Sequence, residues 1–209
     1  MRDSSVISTL AAAEGTRLLG DAYLDDFNER FWRTGPSGFW KLERLQVFRE
    51  PTDDSWVAFD QGRWQDAVDA LRERRGALTE HYRKISEHGF ETWRIRVVEW
   101  PLTDYLRWES ELLALRDELG GHTRFLDASR VEHLETSGVL PELITLGDET
   151  LYRLLYDETG LQQGGVRYDD EGLTVAVREF IQGLYSVGTT TEGFVERAAA
   201  DQRSPLPHG

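Results

Sequence analysis

The chain has 209 residues and carries 38 acidic against 24 basic side chains, a formal charge of −14. That field repels phosphate backbones and anionic lipid, so direct nucleic-acid binding and membrane-surface binding are disfavoured, while a basic partner protein is attracted. There are no cysteines, which excludes disulfides, thiolate metal sites and a cysteine nucleophile and fits a cytoplasmic chain.

No apolar run reaches the roughly 18 residues of a membrane span, and Val6 to Ala13 is too short and acid-flanked for a signal peptide. Residues 1–15 and the tail 201–209 read as loose ends. Thr16 to Arg33 has helical spacing through Leu18, Leu19, Ala22, Tyr23, Phe27 and Phe31, and Thr34-Gly35-Pro36-Ser37-Gly38 stops it. Phe39 to Phe48 alternates and predicts a strand. Glu50 to Asp54 is a turn, and Ser55 to Gly62 is ambiguous. A long helix is expected over Trp64 to Glu87, weakened at Gly76 and ended by His88-Gly89.

Trp93 to Val98 predicts a strand that Pro101 breaks. Thr103 or Asp104 then caps a helix running to about Leu119, before Gly120-Gly121. Thr123 to Leu126 is a short strand and Ser129 to Thr136 a helical turn. Leu143 to Leu146 and Thr150 to Tyr156 are strands joined by Gly147-Asp148-Glu149, a hairpin signal. Gly165 to Tyr168 adds another strand. Leu173 to Val187 is an amphipathic helix, and Thr191 to Ala200 a tail helix. This order predicts a mixed α/β fold, a mostly β-sheet layer flanked by helices. The expected divisions are an N-terminal helical extension (1–37), one α/β domain (38–190), and a C-terminal helix with a tail (191–209).

The most informative stretch is Trp93 to Glu109. Arg94 and Arg96 are two apart, so on a strand both point to one face, with Ile95 and Val97 on the other. Adjacent guanidiniums are costly unless carboxylates or an anionic ligand meet them. Two readings stay open. In one, acids such as Glu99, Asp104, Glu109 or Asp157 close an internal ion-pair network that clamps helix to sheet. In the other, Arg94 and Arg96 hold a ligand's carboxylate or phosphate, flanked by Tyr105 or Trp108, with Glu109 beside them.

Other chemistry is sparse. The histidines at 81, 88, 122, 133 and 208 form no i, i+4 pair and no His-Glu-x-x-His, so no metal site is expected. No Gly-x-Ser-x-Gly elbow and no phosphate loop occurs. Asp53-Asp54 and Asp169-Asp170 fall in turn-like sequence. Trp40, Trp56, Trp64, Trp93, Trp100 and Trp108 read as core rings near element ends, or as an aromatic patch for a partner or flat ligand. No cofactor is implied.

Arg94-Ile95-Arg96-Val97-Val98, then Pro101-Leu102-Thr103-Asp104-Tyr105 and Arg107-Trp108-Glu109, resemble a family of actinobacterial proteins of unknown function. Phe39 to Arg44 and Leu151 to Gly160 are similar to further blocks of that family. The resemblance covers roughly residues 38 to 188. Members often occur beside helix-turn-helix regulators, which implies a regulatory or accessory role. The element order is also similar to a phospholipase-D-like fold used as a sensor domain. The catalytic His, Lys and Asp of that fold are not met by His81-Tyr82-Arg83 and His88, so the resemblance implies no phosphodiester chemistry.

Two functions follow as expectations. The first is a non-catalytic cytosolic accessory or regulatory module that binds a partner protein, such as a basic helix-turn-helix regulator, or a small anionic ligand. The alternative is an enzyme of specialised metabolism, with Arg94 and Arg96 as anion pocket and Glu109 or Tyr105 as acid or base.

Overall fold

A computed structural model describes residues 2–136 and 138–203. Eight strands form one mixed sheet in the order β1-β7-β6-β5-β2-β3-β4-β8. They are β1 (Thr16–Leu19), β2 (Phe39–Glu43), β3 (Thr92–Val98), β4 (Gly121–Asp127), β5 (Leu143–Leu146), β6 (Thr150–Tyr156), β7 (Gln162–Tyr168) and β8 (Thr189–Thr190). The helices are α1 (Arg2–Ala12), α2 (Asp21–Phe31), α3 (Asp54–Asp60), α4 (Trp64–Glu73), α5 (Arg75–Glu87), α6 (Asp104–Glu118), α7 (Glu171–Ser186) and α8 (Thr191–Arg203). The fold is mixed α/β, as the alternation of element types predicts.

Only the β2–β3 and β3–β4 pairings are parallel, β3 lying between the other two. Parallel neighbours need long crossovers. Here α3, α4 and α5 connect β2 to β3, and α6 connects β3 to β4. The chain then returns to the other flank of β2 and continues antiparallel through β5, β6 and β7. Gly147, at φ +61°, opens the β5–β6 turn; a Cβ there would lie 2.3 Å from the Thr34 carbonyl oxygen.

Alternation along β2 and β3 separates two faces. Trp40, Leu42, Ile95 and Val97 point to one, where they join Leu143, Leu151 and the α7 residues Leu173, Val177, Phe180 and Ile181 in the largest apolar cluster. Lys41, Glu43, Arg94 and Arg96 point to the other, beneath α6. Apolar residues flank those four on this second face, with an ionic group of Asp26, Arg30 and Arg167 towards the β7 edge. Tyr23 and Phe31 of α2 pack on Ile144, Tyr152 and Leu154 at one end. Phe194 of α8 stacks on Phe125 at the other, ring centroids 3.8 Å apart.

Several local expectations need correction. Residues 2–12, read as a loose end, form α1, whose Leu10 is buried in the apolar cluster with Val6 and Ile7 against it. Thr16 to Leu19 is an edge strand rather than the first turn of a helix, because it hydrogen-bonds to β7. Within residues 1–37, β1 pairs with β7 in the sheet, and α1 and α2 pack on the apolar clusters. The strand from Phe39 ends at Glu43, where the Arg44 and Leu45 amides donate to the Glu142 carboxylate, both at 2.6 Å. The ambiguous segment is α3, capped by Asp53, whose carboxylate accepts from the Trp56 amide. The long helix divides at Arg74, not Gly76; the Arg74 guanidinium grips that same Asp53 at 2.5 and 2.7 Å. The tail helix reaches Arg203, and residues 204–209, read as loose, lie outside the described residues.

Candidate functional site

In-register pairing of β2 with β3 sets Lys41 beside Arg94 and Glu43 beside Arg96 at the centre of the sheet. Glu43 is 3 % exposed. One of its oxygens meets Lys41 Nζ at 2.5 Å, and the other accepts from the Arg94 guanidinium. Burial alone would raise this carboxyl, but Arg94, then Lys41 and Arg96, outweigh it and hold Glu43 far below the usual carboxylate range.

Helix α6 supplies the roof. It begins where Thr103 Oγ1 accepts from the Leu106 amide, and the same hydroxyl donates to the Gln46 carbonyl at 2.9 Å. That cap fixes the helix start against the loop after β2. One helical stripe, Tyr105, Glu109, Leu112 and Arg116, then faces the sheet's charged centre. Glu109 accepts from Arg96 Nε at 2.7 Å. The Tyr105 hydroxyl lies 2.6 Å from Glu50 Oε1 and 3.3 Å from Glu109 Oε1. Burial, followed by the charges of Glu109 and Glu50, raises the Tyr105 hydroxyl well above its ordinary value, so it stays protonated.

These residues enclose a cavity of about 220 Å³ between β2, β3, α6 and the loop after β2. Phe48, Tyr105 and Tyr156 give it an aromatic wall, and Arg49 and Gln162 stand at its exposed rim. A smaller hollow of about 70 Å³ shares Arg94 and Arg116 with it and is lined by His81, Tyr82, Trp93 and His122. Larger hollows lie elsewhere. One of about 360 Å³ at Arg30, Ser37 and Asp148 has its charges matched, Arg30 by Asp26 and Asp169, Asp148 by Arg178. One of about 380 Å³ beside α1 holds Leu134, Val139 and Leu140.

Of the five residues singled out in the sequence, Arg94, Tyr105 and Glu109 line the central cavity. Arg96 does not. It is fully enclosed, with its guanidinium 5.3 Å from the Phe48 ring centroid, and it supports the cavity through Glu109. Trp108 does not flank a ligand site either: it is fully buried, its Nε1 donates to Ser55 Oγ at 2.7 Å, and its ring stacks on Phe59. Of the acids considered as partners for the arginines, only Glu109 serves. Glu99 pairs with Arg44, Asp104 with Arg107, and Asp157 closes its own turn on Thr159.

Sequence reading missed Glu43, Lys41, Arg49, Glu50 and Arg116. Glu43 and Lys41 alternate on a predicted strand, yet their register against Arg94 and Arg96 is a tertiary fact. Arg116 carried a usable signal, since it lies seven residues after Glu109 and four after Leu112 on the predicted helix. Among the described residues no three histidines or carboxylates group as a metal site, and no helix is long and apolar enough to cross a membrane.

Comparison with curated proteins finds no match. The model of a family described as a domain of unknown function, DUF6879, matches residues 25–196. That span contains every residue named around the central cavity, and the chain belongs to this family.

Proposed function

We propose that the protein is a non-catalytic accessory or regulatory module that binds a small anionic ligand in the cavity beneath α6. One observation carries the reading. Lys41, Arg49, Arg94 and Arg116 line the cavity against only Glu43, Glu50 and Glu109, an excess of one cation in a chain of charge −14. Glu50 accepts from the Tyr105 hydroxyl. Burial, with help from Glu109 and Asp53, raises its carboxyl despite the hydrogen bond from Tyr105. A concave pocket with an aromatic wall and a few converging polar groups is the usual form of a small-molecule site.

The cytosolic setting and a basic partner such as a helix-turn-helix regulator belong to the same proposal. Net charge and the family resemblance support them. A phospholipase-D-like sensor arrangement without the catalytic His, Lys and Asp is consistent with binding in place of hydrolysis. Isothermal titration with glutarate and with inorganic phosphate tests the pocket. Saturable binding of either, weakened about tenfold by Arg116→Gln, is expected. No heat with either anion, or undiminished binding by the variant, overturns the reading.

A second reading has its own observation. The Tyr105 hydroxyl sits between two carboxyls and can donate to only one. A protonated Glu50 would donate to Tyr105, which would then donate to Glu109. Such a chain suits acid–base work on a bound carboxylate. Proton NMR of glutarate held with the protein in deuterated water reads it: α-deuteration that Glu50→Gln abolishes supports an enzyme, and an unexchanged spectrum removes the reading.

A further inference from the structure

The charges around the cavity fall into two sets. In the first, Lys41 and Arg94 close on Glu43, and Arg96 closes on Glu109. These groups are satisfied within the fold. In the second set are Arg116, Arg49 and Glu50. The Arg116 side chain makes no ion pair or hydrogen bond among the described residues, and its Nε is buried. The Arg49 guanidinium, at the exposed rim, donates to Thr159 Oγ1 at 3.5 Å, and its amide donates to the Gly160 carbonyl. Glu50 accepts from the Tyr105 hydroxyl and pairs with no cation. Uncompensated charge facing an enclosed space is costly unless a ligand meets it. What remains to be met inside is the Arg116 guanidinium and the Glu50 carboxyl, with the Arg49 guanidinium at the rim.

We infer that the ligand is a small amino carboxylate, whose carboxylate is held by Arg116 with Arg49 and whose ammonium is received by Glu50. This rests on the anion-pocket reading above and deepens it. A plain carboxylate would satisfy the arginines but leave Glu50 beside Glu109 with no cation. A plain amine would leave both arginines unmet. Arginine suits the carboxylate end, because its fork matches two oxygens at once. Phe48 and Tyr156, ring centroids 4.9 Å apart, give an apolar or flat side chain a surface to cover. An arriving ammonium would oppose the burial and the neighbouring acids that raise the Glu50 carboxyl.

Matched probes separate the two levels of the claim. Wild-type protein is titrated with L-glutamate and glutarate, and with L-phenylalanine and 3-phenylpropanoate, each pair differing by the amine. At least one amino acid is expected to bind about tenfold more tightly than its partner. Glu50→Gln should erase the preference while the des-amino acids still bind; Arg116→Gln should weaken both members of a pair. If the des-amino acids bind as well as the amino acids, or Glu50→Gln leaves the preference intact, the amino-carboxylate assignment falls and the anion pocket stands. If none of the four binds at millimolar concentration, both fall.

Discussion

Leu42 and Glu43 are neighbours on β2, equally enclosed at 0 % and 3 % exposure, and they face opposite sides of the sheet. Leu42 joins a cluster that any well-filled apolar layer could supply. Glu43 is held by Lys41 and Arg94, with Arg96 adjacent. Burial of apolar surface is non-directional and forgiving of shape-conserving change. A buried ionic layer contributes little net stability, because desolvation offsets attraction, but removing one member leaves an unmatched charge. The apolar face thus explains why the sheet is stable. The charged face explains why α6 sits in one position, with Tyr105, Glu109 and Arg116 around one cavity.

The sharpest test of that contrast is Arg96→Met. It strands Glu109 under α6 and should cost about 3–5 kcal/mol in urea unfolding. Adding Glu109→Leu should restore most of the loss, since a matched apolar pair replaces a matched ionic one. Failure of the second change to rescue the first would mean that Arg96 acts through something other than Glu109.

Leu42→Ala on the opposite face should cost about 2–5 kcal/mol through lost burial and the space left behind. No neighbouring substitution of charge should rescue it, and its cost should be the same at pH 5 and pH 8. A strong pH dependence would mean that the two faces are not independent.

Acidity separates the carboxyls of the charged layer. Glu43, held far below its ordinary value, contributes stability at neutral pH that is lost progressively as pH falls below the ordinary carboxylate value. Glu142 behaves in the opposite way. Burial, then the charge of Glu43, lifts its carboxyl to about 7 against the pull of Arg96 and two amide hydrogen bonds. The folded state therefore binds a proton that the unfolded chain has released above its ordinary carboxylate value. Stability from this group is full below that value and falls by about 3 kcal/mol as pH rises towards 7 and beyond. Unfolding curves from pH 4.5 to 8 should show the decline, and Glu142→Gln should flatten it. An unchanged slope in that variant would place the titration elsewhere.

The smallest structural effect is expected at the start of α6. Thr103→Ala removes the cap and the bond to Gln46, and should lower stability by about 1 kcal/mol. If the cap also sets the roof of the cavity, the affinity for glutarate should drop with it.

Much of this frame was legible in the sequence where local signals agree. Alternation of Arg94, Ile95, Arg96 and Val97, the break at Pro101 and the Thr103 cap define β3 and α6 almost to the residue. The β5–β6 hairpin was equally plain, because Gly147 marks its turn. What stayed hidden depends on distant partners. Thr16 to Leu19 reads as helix by spacing and becomes a strand because β7, far along the chain, pairs with it. Residues 2–12 form a packed helix because α7 offers an apolar surface. At the site, Arg94, Tyr105 and Glu109 were found because they share one informative stretch. Glu43 and Glu50 were not, because strand register and the path of the loop after β2 bring them there. Trp108 was misplaced by a simple ambiguity: it stands one residue from Glu109, and on a helix that single step turns it to Ser55 and Phe59.

In the proposal above, the ionic layer closes upon itself and leaves Arg116, Arg49 and Glu50 for a ligand. Arginine side-chain nitrogen NMR during a glutarate titration addresses it most directly. The Arg116 Nε–H signal should shift in a saturable manner, with Arg49 following, while Arg44 and Arg74, already paired with Glu135 and Asp53, stay fixed. A titration that leaves Arg116 unmoved, or moves the paired arginines equally, contradicts it.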